Sequence, residues 1–203
     1  MGKTYLFTKN NYLKLQKSIK AFKNGQVLLG EKEIILKKKI ESYKLEEKKL
    51  KEKKDVILKE AEEMLKKAIV DIGFERLIDI SNSIKDDDTI GIKYVTLMGV
   101  EIPSVITEEL EPKLNYGLYN TTMAVDESIA KFLEVKSIVI KLAEIDNTII
   151  RLQKAIEKVQ RRSNALKEVI IPREEELAKK ISIALEEGER DEFVRLKVAK
   201  RKL

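Results

Sequence analysis

The chain has 203 residues, of which 37% are charged, 43% hydrophobic and 5% aromatic, and a net charge of +6. Cysteine and histidine are both absent, which removes disulfides, thiol chemistry, Ser-His-Asp triads and the common zinc sites. No apolar run approaches the roughly 20 residues of a membrane span, and Met1-Gly2-Lys3-Thr4 lacks the apolar core of a signal peptide, so the expectation is a cytoplasmic protein without direct membrane insertion.

With only 8 Gly and 3 Pro, the composition suits long helices better than a compact enzyme domain. Charge is segregated along the chain. Residues 1–70 carry 19 basic and 10 acidic side chains, residues 71–130 carry 4 and 12, and residues 131–203 carry 18 and 13. Two basic arms therefore flank an acidic middle. The expected organisation is an N-terminal helix over 1–70, an acidic middle segment over 71–120 and a C-terminal helix with a basic tail over 121–203.

The first arm starts near Thr8, a suitable N-cap. From there apolar residues recur in steps of three and four: Leu15, Ile19, Phe22, Leu29, Leu36, Ile40, Tyr43, Leu50, Ile57, Ala61, Met64 and Ala68. Gln26, Glu33, Glu47 and Lys54 occupy the remaining positions of that stripe. Polar seam residues fix register at a cost in stability and predict a looser middle. At 1.5 Å per residue the arm would span roughly 90 Å. Gly25 and Gly30 interrupt it, either as tolerated surface glycines or as points of close approach by another surface.

Past Asp71 the pattern weakens. Ile72, Phe74, Leu77, Ile78 and Ile80 read as a fraying continuation of the helix. Ser81-Asn82-Ser83 and Asp86-Asp87-Asp88 read as a loop. Ile90, Ile92 and Tyr94 alternate, and so do Met98, Val100 and Ile102, which predicts a β-hairpin over about 89–104. Pro103 is expected at the end of its second strand. A lone hairpin is marginal in water, so it should lean on the helices.

Asn120-Thr121-Thr122 is the expected cap of the second arm, with Asp126 and Glu127 in its first turn. A narrow stripe then runs through Val135, Ile138, Leu142, Ile145, Ile149, Leu152, Ile156 and Val159. It continues through Ser163, Leu166, Ile170, Arg173 and Leu177, broken at Ser163 and Arg173. Its mean step of about 3.5 residues marks a coiled-coil seam. Pro172 should kink this helix. Two long helices joined by a shorter insert must fold back antiparallel. The fold class read here is mainly α, a long antiparallel two-helix coiled coil with a small β-hairpin insert.

That fold would bring both termini to one end. The first 30 residues hold six lysines and no acid, and Phe193–Leu203 adds five cations and no acid. Such a concentration repels itself and calls for an acidic receptor or a polyanion. There is no GxxxxGK[ST] phosphate loop, and most carboxylates fall on solvated helix faces. No catalytic, cofactor-binding or metal residues are therefore assigned. The Asp86–Asp88 run reads as a loop cap before a cation site. A basic coiled coil binding nucleic acid is one competing class, but lysine is interleaved with glutamate and no stacking platform appears. A stalk-like coiled coil of a secretion-system ATPase is another.

Four segments resemble the D subunit of the V-type and archaeal A-type rotary ATPases, in family order and spacing. They are Arg161-Arg162-Ser163-Asn164-Ala165-Leu166 followed by Ile170-Ile171-Pro172; Glu186–Lys197; Met98-Gly99-Val100-Glu101-Ile102-Pro103; and Gly25, Leu28, Leu29 and Lys32 of the first arm. The chain departs from the family pattern at Phe7, Gly30 and Lys167. The resemblance implies a non-catalytic central rotor shaft, with no cofactor of its own and no nucleic acid. Both termini would lie in a head of alternating A and B subunits. The lower part would pair with the small F subunit and seat on the C subunit, called d in eukaryotes, peripheral to the membrane. Head contact is expected at Lys14, Lys17, Lys20, Gly25, Arg161, Arg162, Asn164, Arg195, Lys197 and Lys200. Tyr94, Met98, Val100 and Ile102 are expected to contact the F subunit or regulate the motor.

Overall fold

The computed structural model of the chain describes residues 7–83, 90–107 and 121–202. Helix α1 runs Lys9–Ile72 and α2 Phe74–Ser83. Strands β1 (Ile90–Leu97) and β2 (Val100–Thr107) follow. Helix α3 is Met123–Ala165 and α4 Ile171–Lys202, joined by one π-helical turn over Leu166–Ile170. The mainly helical class with a central two-stranded insert is thus observed. The residues fall into two compact units, one of Met1–Leu36 with Ile156–Leu203, the other of Lys37–Ala155.

Thr8 caps α1 as expected. Its Oγ1 accepts a hydrogen bond from the Asn11 N–H at 3.3 Å, and its carbonyl accepts one from Tyr12 at 3.0 Å. These bonds occupy donors that a helix start otherwise leaves open. Thr122 stands at the equivalent place before α3, and its carbonyl accepts from Val125 at 2.9 Å. Its hydroxyl is buried without a partner among the described residues, so within them this cap uses backbone alone.

Every predicted seam position of α1 is at least half-buried, and so is every one on α3 from Val135 to Val159. In the first unit Leu15 and Leu36 face a stretch that buries Ile156, Val159, Ile171 and Ile181. Gln160 Nε2 donates to Glu33 Oε1 at 2.7 Å, and Lys23 Nζ meets Glu175 Oε1 at 2.7 Å. As the residue number falls on one helix it rises on its partner, which is antiparallel pairing. In the second unit Lys131 Nζ reaches Glu60 Oε2 at 2.9 Å, while the Asp146 charge acts on Lys51, again antiparallel. The hydrogen bond that Lys131 donates to the Glu60 carboxylate raises the Lys131 pKa above its ordinary value. Ala61 and Ala68 are fully buried there, and the start of α3 buries Val125, Ser128 and Val135. Between Ile40 and Ala61 no α1 residue is buried, and Tyr43, Glu47, Leu50, Lys54 and Ile57 are all half-buried. This is the thinner stretch that Glu47 and Lys54 predicted.

The second seam fails at one predicted position. Arg173 is exposed, while Ile171 is buried to 7% exposure and Glu174 is half-buried. The cause lies in the turn before it. Pro172 has no N–H, and its ring crowds the carbonyl one turn back. The backbone responds by widening, so that the Ile171 N–H donates to the Leu166 carbonyl, five residues away. A π turn carries one residue more than an α turn, so the apolar stripe moves by one.

Two further expectations are corrected. Ser81-Asn82-Ser83 belongs to α2, which starts beyond a break at Gly73, φ +88°. Ser83 Oγ donates back to the Ile80 carbonyl at 2.7 Å, a local bond that lets serine stay helical. Met98 lies in the turn and not in a strand: Met98 and Gly99 have φ of 52° and 76°, a two-residue turn of the primed kind that matches strand twist. Asp86–Asp88 and Asn120 lie outside the described residues.

Register makes Pro103 harmless for a different reason from the one expected. β2 extends to Thr107, and Pro103 pairs with Tyr94 inside the ladder. Counting back from the closing pair Leu97–Val100, Tyr94–Pro103 falls on a non-hydrogen-bonded site. The missing N–H would point away from β1. The neighbouring outward groups of β2 are engaged by α3. Val105 N–H donates to Glu144 Oε2 at 3.2 Å, and the Glu101 carbonyl accepts from Arg151 Nη1 at 3.1 Å. Glu144 and Arg151 are seven residues apart, hence on one helix face. Arg151 also lies 5.1 Å from the Tyr94 ring centroid, a cation–π contact.

Two outcomes are expected. A Cβ added at Gly25 or Gly30 meets nothing within 4 Å, so Gly30→Ala should stabilise the isolated chain by about 1 kcal/mol, read as a higher urea midpoint; a lower midpoint would contradict the open-space geometry. Arg151→Ala should free the hairpin. Losing one charged hydrogen bond and one cation–π contact at a partly exposed site is worth about 1–2 kcal/mol. Amide exchange in β1 and β2 should quicken by roughly tenfold, with global helicity unchanged.

Candidate functional site

The residues singled out by sequence separate cleanly between the units. Lys14, Lys17, Lys20, Gly25, Arg161, Arg162, Asn164, Arg195, Lys197 and Lys200 all belong to the first unit. Tyr94, Met98, Val100 and Ile102 belong to the second.

In the first unit Lys14, Lys17 and Lys20 are exposed on α1, and none of them has an ion-pair partner among the described residues. Steps of three place them along one flank, clear of the Leu15–Ile19–Phe22 stripe. Arg161, Arg162 and Asn164 are all exposed, the two arginines off the seam as their spacing predicts. Arg161 pairs only loosely, at 3.8 Å, with Glu157 on its own helix and not with α1. An exposed pair within one helix is worth under about 1 kcal/mol. This motif therefore contributes little to holding the two helices together. Of the first-arm pattern, Leu28 is exposed, while Gly25, Leu29 and Lys32 are half-buried.

The end of α4 shows something the charge count did not. Every residue from Glu186 to Arg201 is exposed. Phe193 and Leu196 are 68% and 70% exposed, and Val194 and Val198 are also exposed. The tail is thus apolar as well as basic, and nothing among the described residues covers it. A helix lacking a buried face gains little from tertiary packing. Within α4, Lys180 holds the Glu176 carboxylate, depressing its pKa first by hydrogen bond and then by charge.

In the second unit Tyr94 and Met98 are exposed, and Val100 and Ile102 are half-buried. Met98 sits at the hairpin tip. Sequence reasoning missed Glu144 and Arg151, which position this hairpin. Their only signal was their seven-residue spacing on the polar flank of α3, which many charged residues share. Among the described residues no cluster of three acidic side chains gathers as a metal site, and no helix is long and apolar enough to cross a membrane. The exposed surfaces have the chemistry of docking faces, with cations and apolar side chains offered side by side.

Comparison with known proteins points the same way. The family model for the D subunit of ATP synthase matches residues 11–201. The D subunit of the A-type ATP synthase of Pyrococcus abyssi is 38% identical over 198 residues, covering 95% of this chain and 92% of that one. The D subunit of the V-type ATP synthase of Thermotoga neapolitana is 32% identical over 196 residues, covering 97% of each. The A-type D subunit of Methanobrevibacter smithii is 34% identical over 194 residues, covering 94% of this chain and 84% of its own length. With a family match across almost the whole sequence and relatives above 30% identity along nearly their full length, the chain belongs to the family of ATP synthase D subunits of A- and V-type complexes.

Proposed function

We propose that the chain is the rotor shaft of its complex, passing torque between ATP turnover in a head of A and B subunits and ion movement in a membrane ring. Membership of the D-subunit family supports a place within an ATP synthase complex. The observation that carries the finer reading is the uncovered end of α4, exposed from Glu186 to Arg201 and both basic and apolar from Phe193 onwards. Such a segment is poorly suited to water and well suited to a collar formed by other subunits.

The mechanism follows from differential contact. A pair of helices is not circular in section, so a turning pair offers a different face to each surrounding catalytic site. Sites that meet different faces bind nucleotide differently, and only differential contact can shift such an equilibrium. The chain supplies no catalytic group, consistent with a sequence lacking a phosphate loop, histidine and cysteine. Its part is mechanical. Twisting two paired helices strains backbone hydrogen bonds and seam contacts along their length together, so torque is carried and not dissipated.

In this reading the flank of Lys14, Lys17 and Lys20 meets the head, along with Arg195, Lys197 and Lys200. Arg161, Arg162 and Asn164 face it too, and Gly25 admits a close neighbour. The hairpin side contacts the F subunit, and the chain seats on the C subunit at the cytoplasmic face of the membrane. Pro172 bends the second arm within the head.

Replacing Lys14, Lys17, Lys20, Arg195, Lys197 and Lys200 together by glutamine tests this. At about 0.2–1 kcal/mol for each exposed charge, head binding should weaken by roughly a hundredfold and become less sensitive to salt. Replacing six exposed lysines of the second unit should leave head binding intact. Unchanged head affinity and ATP-driven torque in the first variant would contradict the proposal.

A further inference from the structure

The hairpin's two edges are treated differently. On β2, the outward Glu101 carbonyl and Val105 N–H are engaged by Arg151 and Glu144, and Pro103 between them has no donor to offer. That edge is closed. On β1, the register turns the N–H and C=O groups of Ile92, Tyr94 and Thr96 away from β2. None of them has a hydrogen-bond partner among the described residues. Two large side chains along this edge are exposed, Ile92 at 59% and Tyr94 at 60%.

Natural sheets guard such an edge with charged side chains, proline, a bulge or a covering element. Among the described residues β1 has no proline, bulge or covering element and a single charge, Lys93, and its eight residues make it long enough to template another strand. The hairpin is also prepared for the task. Its turn is of the type that fixes register, and α3 holds its other edge, so little order would have to be gained on binding.

We propose that β1 is a docking edge that adds a strand from another member of the complex, turning the hairpin into a three-stranded sheet. This rests on the chain working as one subunit among several, as set out above. Main-chain complementarity specifies an extended segment, apolar or β-branched at alternate residues. Charge specifies one more feature. Lys93 is the only charged residue of β1, is exposed, and has no ion-pair partner among the described residues. Its N–H and C=O face β2, so towards a new strand it occupies a non-hydrogen-bonded site, where opposed side chains lie closest. The added strand carries a carboxylate opposite Lys93. A second copy of this chain does not fit that description, since its β1 brings another lysine and no acid.

Residue-resolved amide exchange, comparing the assembled ATPase complex with the isolated chain, tests the inference. Ile92, Tyr94 and Thr96 should slow at least tenfold on assembly, while Lys93 and Val95, already bonded to β2, change far less. Ile92→Pro removes one outward donor at the same kind of site that Pro103 occupies in β2. It should weaken capture of the purified neighbouring protein of the complex at least tenfold, whereas Ile92→Val should not. A complex that assembles and turns over ATP with Ile92, Tyr94 and Thr96 unprotected overturns strand addition and leaves the shaft reading standing. Capture unaffected by Ile92→Pro also overturns it. Concentration-dependent protection in the isolated chain overturns it in favour of self-pairing. A chain that enters no complex at all overturns both readings.

Discussion

Everything in this protein depends on two narrow apolar stripes, neither of which can be buried by its own helix. An isolated helix gains little in water from propensity, and its stability comes from covering one face. Leu36 and Leu152 reach zero exposure only because a helix from the other half of the chain lies against each. That constraint sets the antiparallel direction, since a single chain with a short insert can bring the two stripes together in no other way. It also leaves the rest of each helix surface free. Glu, Lys and Arg fill that surface, and docking residues can be placed there without disturbing the pairing.

Within the seam, burial is uneven, and the unevenness is informative. Ala61 and Ala68 are fully buried in the second unit. Glu33 with Gln160 introduces a polar layer in the first, with its hydrogen bond made at 2.7 Å. A half-buried polar layer that is satisfied costs little and penalises slipped registers, which would leave its members unpaired. The π turn ahead of Pro172 serves a related end. It absorbs the missing N–H and shifts the stripe by one residue, so that Ile171 is buried and Arg173 is not.

The seam was legible in the sequence because period and burial are the same fact. A residue that recurs every three and four positions shares a face, and a charged surround leaves that face nowhere else to go. Thr8 was legible for a similarly local reason, as a hydroxyl one residue before a long helical run. What escaped was whatever depended on a distant partner or an uncommon backbone. Arg173 was misassigned because a proline announces trouble in a helix without saying whether the chain will kink, stop or widen. Met98 entered the turn because Gly99 needs a companion at positive φ, a demand the strand alternation conceals. Ser81–Ser83 looked like a loop from composition, yet Ser83 bonds back to Ile80 and the helix persists. Glu144 and Arg151 could not be distinguished from other charges on α3 until the hairpin edge was in view. The docking face was half legible: charge revealed its cations, but exposure revealed Phe193 and Leu196.

Rotation of this chain inside its complex is the claim on which the functional reading stands. Because the chain contains no cysteine, an Asp79→Cys variant, altered at an exposed position on α2, offers one attachment point for a bead or gold particle. With the catalytic head fixed to a surface and ATP supplied, the expected result is stepwise rotation of the particle in one direction. A particle that stays still while the same complexes hydrolyse ATP would contradict it.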